Sequence, residues 1–191
     1  MNETIKLGLI LFVITAAAAL VLGASNMVTY ERIAEADRLA NERAKMEVLD
    51  MADSFNPLDD SELKEIIGDN TNIVEINEGY KGSELVGYTF NVKVNGYGDQ
   101  ITFMIGISKD GSITGIKILN HSETPGLGAN ATKSYFTNSF KGKTLSSEIV
   151  AVKSPQADNE VQAITSATIT TNAIVDGVNL VREIYNSELA N

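Results

Sequence analysis

Hydrophobic and polar positions follow three regimes along the chain. From Leu7 to Tyr30 no charged residue occurs, and a helix that crosses the hydrocarbon core of a bilayer needs roughly 20 apolar residues. This stretch predicts a transmembrane helix. A cleavable signal peptide is the competing reading, because Ala24 preceded by Leu22 can pass as a small-residue cleavage site. The apolar run is longer than the roughly 7 to 15 residues of a signal h-region and the leader MNETIK is barely basic, so an uncleaved anchor is the expectation. Its orientation is contested by charge. Lys6 on one side faces Arg32, Arg38, Arg43 and Lys45 on the other, which by the positive-inside rule argues against export, a test weakened by the interspersed Glu31, Glu35 and Asp37 and by the long domain that follows.

The second regime, residues 31–52, is rich in helix formers and sets Ile33, Ala36, Ala40, Ala44 and Val48 at helical spacing. Asn56-Pro57 is expected to stop this helix. Asp60-Ser61 then opens a short helix that Gly68 ends.

Between residues 71 and 120 the period changes to two. NIVEI, LVGYTFNVKV, ITFMIGIS and ITGIKILN alternate and are separated by glycine-containing turns, which predicts four strands. Asp110-Gly111 suits a tight hairpin, so at least two of the strands should pair antiparallel. After Thr168 a helical period returns, with Ile174, Val178, Val181 and Tyr185 on one face of a closing amphipathic helix. The expected class is α+β: a transmembrane helix over 1–30, a helical connector over 31–70, and a mainly antiparallel sheet domain with flanking helices over 71–191.

Composition narrows the chemistry. At 191 residues the chain has room for one anchor and one domain with a real core. The net charge of -10 repels a phosphate backbone, and no stretch clusters Lys or Arg among aromatics, so nucleic acid is set aside. The absence of cysteine removes iron–sulfur ligation by thiolates, cysteine-based zinc sites, c-type haem attachment and disulfides. One histidine, His121, does not assemble a multi-histidine metal site or a histidine-based triad, and it reads as a solvated loop residue; no metal ligand set and no catalytic acid or base is assigned. Organic cofactors stay open.

Two segments carry candidate chemistry. His121 to Gly128 follows a strand and combines a Pro-Gly turn with a second glycine, which suits either a plain surface turn or a loop whose amides face a ligand. Thr165-Ser166-Ala167-Thr168-Ile169-Thr170-Thr171 places five hydroxyls in seven residues just before the last helix. They suit ordinary N-caps, or a phosphorylated ligand held by free amides and the positive end of the helix dipole.

The order of an apolar anchor, then GYGDQITFMIGISKDGSITGIKILNHSETPGLGA, then AITSATITTNAIVDGV resembles the FMN-binding domain shared by the G subunit of the Rnf ferredoxin:NAD oxidoreductase complex and the C subunit of the sodium-pumping NADH:quinone reductase. The resemblance covers residues 80 to 181, and the short chain and its spacing are nearer the Rnf protein. It implies an electron-carrying flavoprotein component of a membrane-bound complex that couples electron flow between ferredoxin and NAD to sodium or proton movement.

In that family a flavin transferase moves FMN from FAD onto a threonine of a motif close to D-x-x-S/T-G-A-T. The resemblance puts the phosphoester on Thr168, with Thr165, Ser166, Ala167, Ile169 and Thr170 around it, Thr171 as a further pocket contact, and Glu123, Thr124, Gly126, Leu127 and Gly128 on the facing loop. Gln162 stands where the motif usually has Asp, which bears on recognition by the transferase. Ser166 stands where it usually has Gly, which restricts a backbone position that glycine leaves open. The implied partners are the other membrane and redox subunits, and the implied location is the inner membrane, single-pass, with the C-terminal domain extracytoplasmic. Two alternatives remain: a non-redox extracytoplasmic binding module and a structural subunit without covalent flavin.

Overall fold

The computed structural model describes residues 3–190. Helix α1 runs without a break from Glu3 to Val48. The anchor and connector segments read separately from the sequence are thus one helix, because nothing at the Tyr30–Glu31 junction interrupts the backbone ladder: neither Pro nor Gly lies between Ala24 and Val48. The chain divides into two compact units, Met1–Asn41 and Glu42–Asn191, and the division falls inside α1.

In the first unit the apolar stretch is exposed along its length, with Phe12 and Leu22 each about 70% accessible, and it is long and apolar enough to cross a membrane. Beyond it the helix turns polar, and Arg38 pairs with Glu35 one turn earlier at 2.9 Å.

The second unit is built on a five-stranded antiparallel sheet of order β1-β2-β3-β4-β5. Its strands are Ser54–Pro57, Ile73–Lys81, Glu84–Asn95, Gln100–Ser108 and Ile113–Asn120. Four of them are the period-two runs. The fifth, β1, lies where a helix stop was expected: Asn56 and Pro57 pair with Glu78 and Asn77 at the sheet edge, a position where a proline without an N–H donor is tolerated. Helix α2, Asp60–Ile67, begins with a capping box in which Asp59 accepts from the amides of Ser61 and Glu62, and it ends at Gly68.

The β4–β5 hairpin turns at Asp110-Gly111, with Gly111 at φ 79°. The hydroxyl of Ser108 donates to the Asp110 carboxylate, and the amide of Ser112 donates to the same oxygen. Those hydrogen bonds, the Ser108 hydroxyl first, hold the Asp110 carboxyl below its usual range.

One face of the sheet, with Phe90, Val92, Ile101, Phe103 and Ile105, forms the main core with helix α4, Thr168–Ile184, which contributes Ile174, Val178 and Val181. Tyr185, just beyond α4, completes that face: its ring meets Tyr88 edge-on at 6.2 Å and its hydroxyl donates to the carbonyl of Lys109 at 2.8 Å. The other face meets the last turns of α1. There Ala44 and Val48 pack on Met104, the ammonium of the buried Lys45 lies 3.1 Å from both Glu42 and Glu75, and the Thr114 hydroxyl donates to the Val48 carbonyl. Between β5 and α4 lie a 3-10 turn, Gly128–Thr132, helix α3, Ser134–Thr137, and a parallel pair of three-residue strands, β6 Val150–Val152 and β7 Glu160–Gln162. The fold is α+β, as the period change along the chain implies.

Candidate functional site

Three segments distant in sequence meet at one end of the sheet. The β3–β4 connection Gly96-Tyr97-Gly98, the loop after β5 that begins at Glu123, and the first turn of α4 enclose a cleft of about 550 Å³, within the usual range for small-molecule sites of roughly 300 to 1,000 Å³. Its walls are Tyr97, Glu123, Thr124, Leu127, Gly128, Ser166, Ala167, Thr168, Ile169 and Thr170.

Glu123 ties the three segments together. Its side chain is buried, and one carboxylate oxygen accepts the Gly98 amide at 2.9 Å while the other accepts the Thr170 hydroxyl. Its own amide donates to Nδ1 of His121 at 3.2 Å, folding the loop back on itself. Gly128 packs against this network: a Cβ there would lie 2.6 Å from the Thr170 hydroxyl oxygen and 2.9 Å from Cβ of Glu123, so a larger residue would force the loop off the helix. The loop is shaped further by Asn130, whose amide donates to the Gly126 carbonyl at 2.8 Å.

The start of α4 has an unusual polarity for so hydroxyl-rich a segment. Its N-cap is Ala167, and no side chain caps the helix. The first backbone bond of the turn is Thr171 N–H to the Ala167 carbonyl at 3.0 Å, so the amides of Thr168, Ile169 and Thr170 have no intrahelical acceptor. The hydroxyls are divided among other tasks. Thr171 is buried, and its oxygen accepts the Ile164 amide at 3.1 Å and donates to the Ala167 carbonyl at 2.9 Å, which locks the turn from inside. Thr170 serves Glu123. Thr168 is exposed toward the cleft, and its hydroxyl has no hydrogen-bond partner among the described residues. Ser166 holds the turn at φ 60°, the one left-handed non-glycine residue among those described.

Of the residues singled out from the sequence, Glu123, Thr124, Leu127, Gly128, Ser166, Ala167, Thr168, Ile169 and Thr170 line the cleft together. Gly126 and Thr165 do not: Gly126 sits at the loop's turn with φ 77°, and Thr165 faces solvent. Thr171, expected as a further pocket contact, does not line the cleft either: it is buried, its hydroxyl taken up by Ile164 and Ala167. Tyr97 was not singled out, yet it lines the cleft and is 68% exposed. The available signal was an aromatic residue between two glycines in a strand connection, where burial in the core does not account for it.

A family model described as the FMN-binding domain matches residues 96–183, which include all three walls of the cleft. The G subunit of the Na(+)-translocating ferredoxin:NAD(+) oxidoreductase complex of Acetobacterium woodii is 39% identical over 95% of this chain and 91% of its own. The G subunit of the ion-translocating oxidoreductase complex of Methanosarcina acetivorans is 31% identical over 93% of this chain and 92% of its own. Among solved structures, the NqrC of Shewanella oneidensis superposes with a TM-score of 0.59 at 17% identity, covering 80% of this chain and all of that one. That similarity extends to the fold.

Proposed function

The chain belongs to the family of G subunits of ion-translocating oxidoreductase complexes, and from that premise we propose that it is the electron-carrying flavoprotein of an Rnf-type complex, with FMN esterified through its phosphate to Thr168. The observation that carries this reading is the Thr168 hydroxyl itself. It is exposed, without a hydrogen-bond partner among the described residues, and set at an uncapped helix N-terminus that opens into the cleft.

The residues present fit such a group. The free amides of the first α4 turn and the positive end of the helix dipole favour a phosphate at Thr168. Leu127 and Ile169, 41% and 55% exposed, give the cleft an apolar rim beside Tyr97 that suits a flat aromatic ring. Glu123, through Gly98 and Thr170, keeps the walls at a fixed spacing. The flavin, when bound, supplies one- and two-electron chemistry, which needs no side chain of this domain as an acid or base.

The same geometry supports the attachment step. The Thr168 oxygen attacks the phosphorus of the flavin half of FAD, the pyrophosphate P–O bond breaks, AMP leaves, and the hydroxyl proton passes to solvent. A separate flavin transferase carries this out. A covalent link retains a cofactor that is not replenished outside the cytoplasm, which agrees with a single-pass anchor over residues 1–30 and an extracytoplasmic domain. Partners are the other membrane and redox subunits, which couple electron flow between ferredoxin and NAD to sodium or proton movement. The test is the chain produced with a flavin transferase: flavin fluorescence should remain on the protein band after denaturation, and Thr168→Val should abolish it. A dark wild-type band beside a loaded control would refute the covalent link.

A further inference from the structure

We infer that Glu123 is a charge-bearing wall of the cleft that lowers the reduction potential of the flavin bound there; this rests on the FMN reading above. Each of its oxygens has one hydrogen-bond partner, and both partners are neutral: the Gly98 amide at 2.9 Å and the Thr170 hydroxyl. The residue is 5% exposed. None of the ion pairs among the described residues includes it: those pairs join Glu35 with Arg38, Lys45 with Glu42 and Glu75, Lys117 with Glu47, and Arg182 with Glu183. The three segments that build the cleft, 96–98, 123–128 and 165–170, contain no Lys, Arg or His at all. A buried charge is ordinarily paired with a counter-charge. Here a carboxylate is kept in the wall of a cofactor cleft on neutral donors alone.

The consequence is electrostatic. Two electrons and one proton, delivered from an external low-potential reductant and from solvent, convert a neutral oxidised isoalloxazine to a reduced ring with one net negative charge. A fixed negative charge in a partly dehydrated cleft opposes that added charge far more than it would in water. The oxidised form is favoured, and the midpoint falls. The network around Glu123 also has a purely mechanical use, holding the loop to α4, and the two roles separate by charge. Glu123→Gln has nearly the same shape and exchanges hydrogen bonds with Gly98 and Thr170 without the charge. Thr170→Val removes a donor and leaves the charge in place, less compensated than before.

The experiment is a mediated redox titration of the full-length chain in detergent at a single pH, for wild type, Glu123→Gln and Thr170→Val, with flavin occupancy of each measured by intact mass. Glu123→Gln should titrate at a more positive potential than wild type, and Thr170→Val at or below it. A Glu123→Gln potential at or below wild type, or a rise of both variants together, overturns the inference. Should Glu123→Gln take no flavin, Thr170→Val decides alone: a rise overturns the inference, and a potential at or below wild type supports it. Wild type without flavin on Thr168 counts against the covalent link instead, and the same comparison is then made with FMN added to saturation.

Discussion

The hydroxyl of Thr170 donates to the carboxylate of Glu123, 47 residues away in sequence, and both side chains are buried. This contact joins the first turn of α4 to the loop after β5, so the two halves of the cleft stand or fall together. Replacing Thr170 by Val leaves a buried carboxylate oxygen short of a donor, and a hydrogen bond to a charged group contributes about 1.5 to 3 kcal/mol. Thermal unfolding of the detergent-solubilised Thr170→Val chain should show that loss as a lower Tm. An unchanged Tm would mean that the contact does not hold the loop.

Ser166 gives a gain of the opposite sign. At φ 60° a serine occupies backbone space that glycine enters freely. Ser166→Gly should therefore stabilise the domain by about 1 kcal/mol, the low end of the cost of a left-handed non-glycine residue, which in a domain of this size raises Tm by roughly 2 to 4 °C. A fall in Tm would show that the serine side chain does more at this turn than the backbone strain costs.

The strands and α4 were legible because the apolar residues of the main core alternate along the strands and recur at helical spacing along α4. Phe90, Val92 and Val94 on β3 face the core and Lys93 does not. Two classes of feature were not legible. Strand β1 carries a proline and belongs to a sheet edge, where pairing is decided by a neighbour distant in sequence, Asn77 to Tyr80. Strands β6 and β7 hold three residues each, too few to express any period. At the cleft, the hydroxyl-rich segment and the Glu123–Gly128 loop stood out by composition. That none of the hydroxyls caps α4, and that Glu123 reaches Gly98, depends on tertiary geometry that no local pattern encodes.

Acid should weaken the β4–β5 hairpin through Asp110. Its carboxyl titrates below the usual range in the folded chain because Ser108 and Ser112 donate to it. The stability it contributes is present above the unfolded pKa of about 4 and is lost as the pH falls through the lower folded value. Over that window the Tm of wild type should fall more steeply than that of Asp110→Asn. Parallel curves would remove Asp110 from the acid response.

The apolar stretch of α1 predicts that the chain stays with the membrane through an alkaline carbonate wash, and that removal of residues 1–30 releases it to the soluble fraction. Recovery of a mature chain starting just after Ala24 would identify the stretch as a cleaved signal instead.

The bond at Thr168 is read out by peptide mass spectrometry of the chain purified from membranes after expression with a flavin transferase. The mass of FMN less one water is expected on the peptide that contains Thr168 and is lost in Thr168→Val, whose Tm should equal that of flavin-free wild type, because this hydroxyl makes no bond within the described chain. An unmodified Thr168 from a preparation in which a control flavoprotein is fully loaded, or the added mass on Thr165, Ser166 or Thr170 in its place, would contradict it.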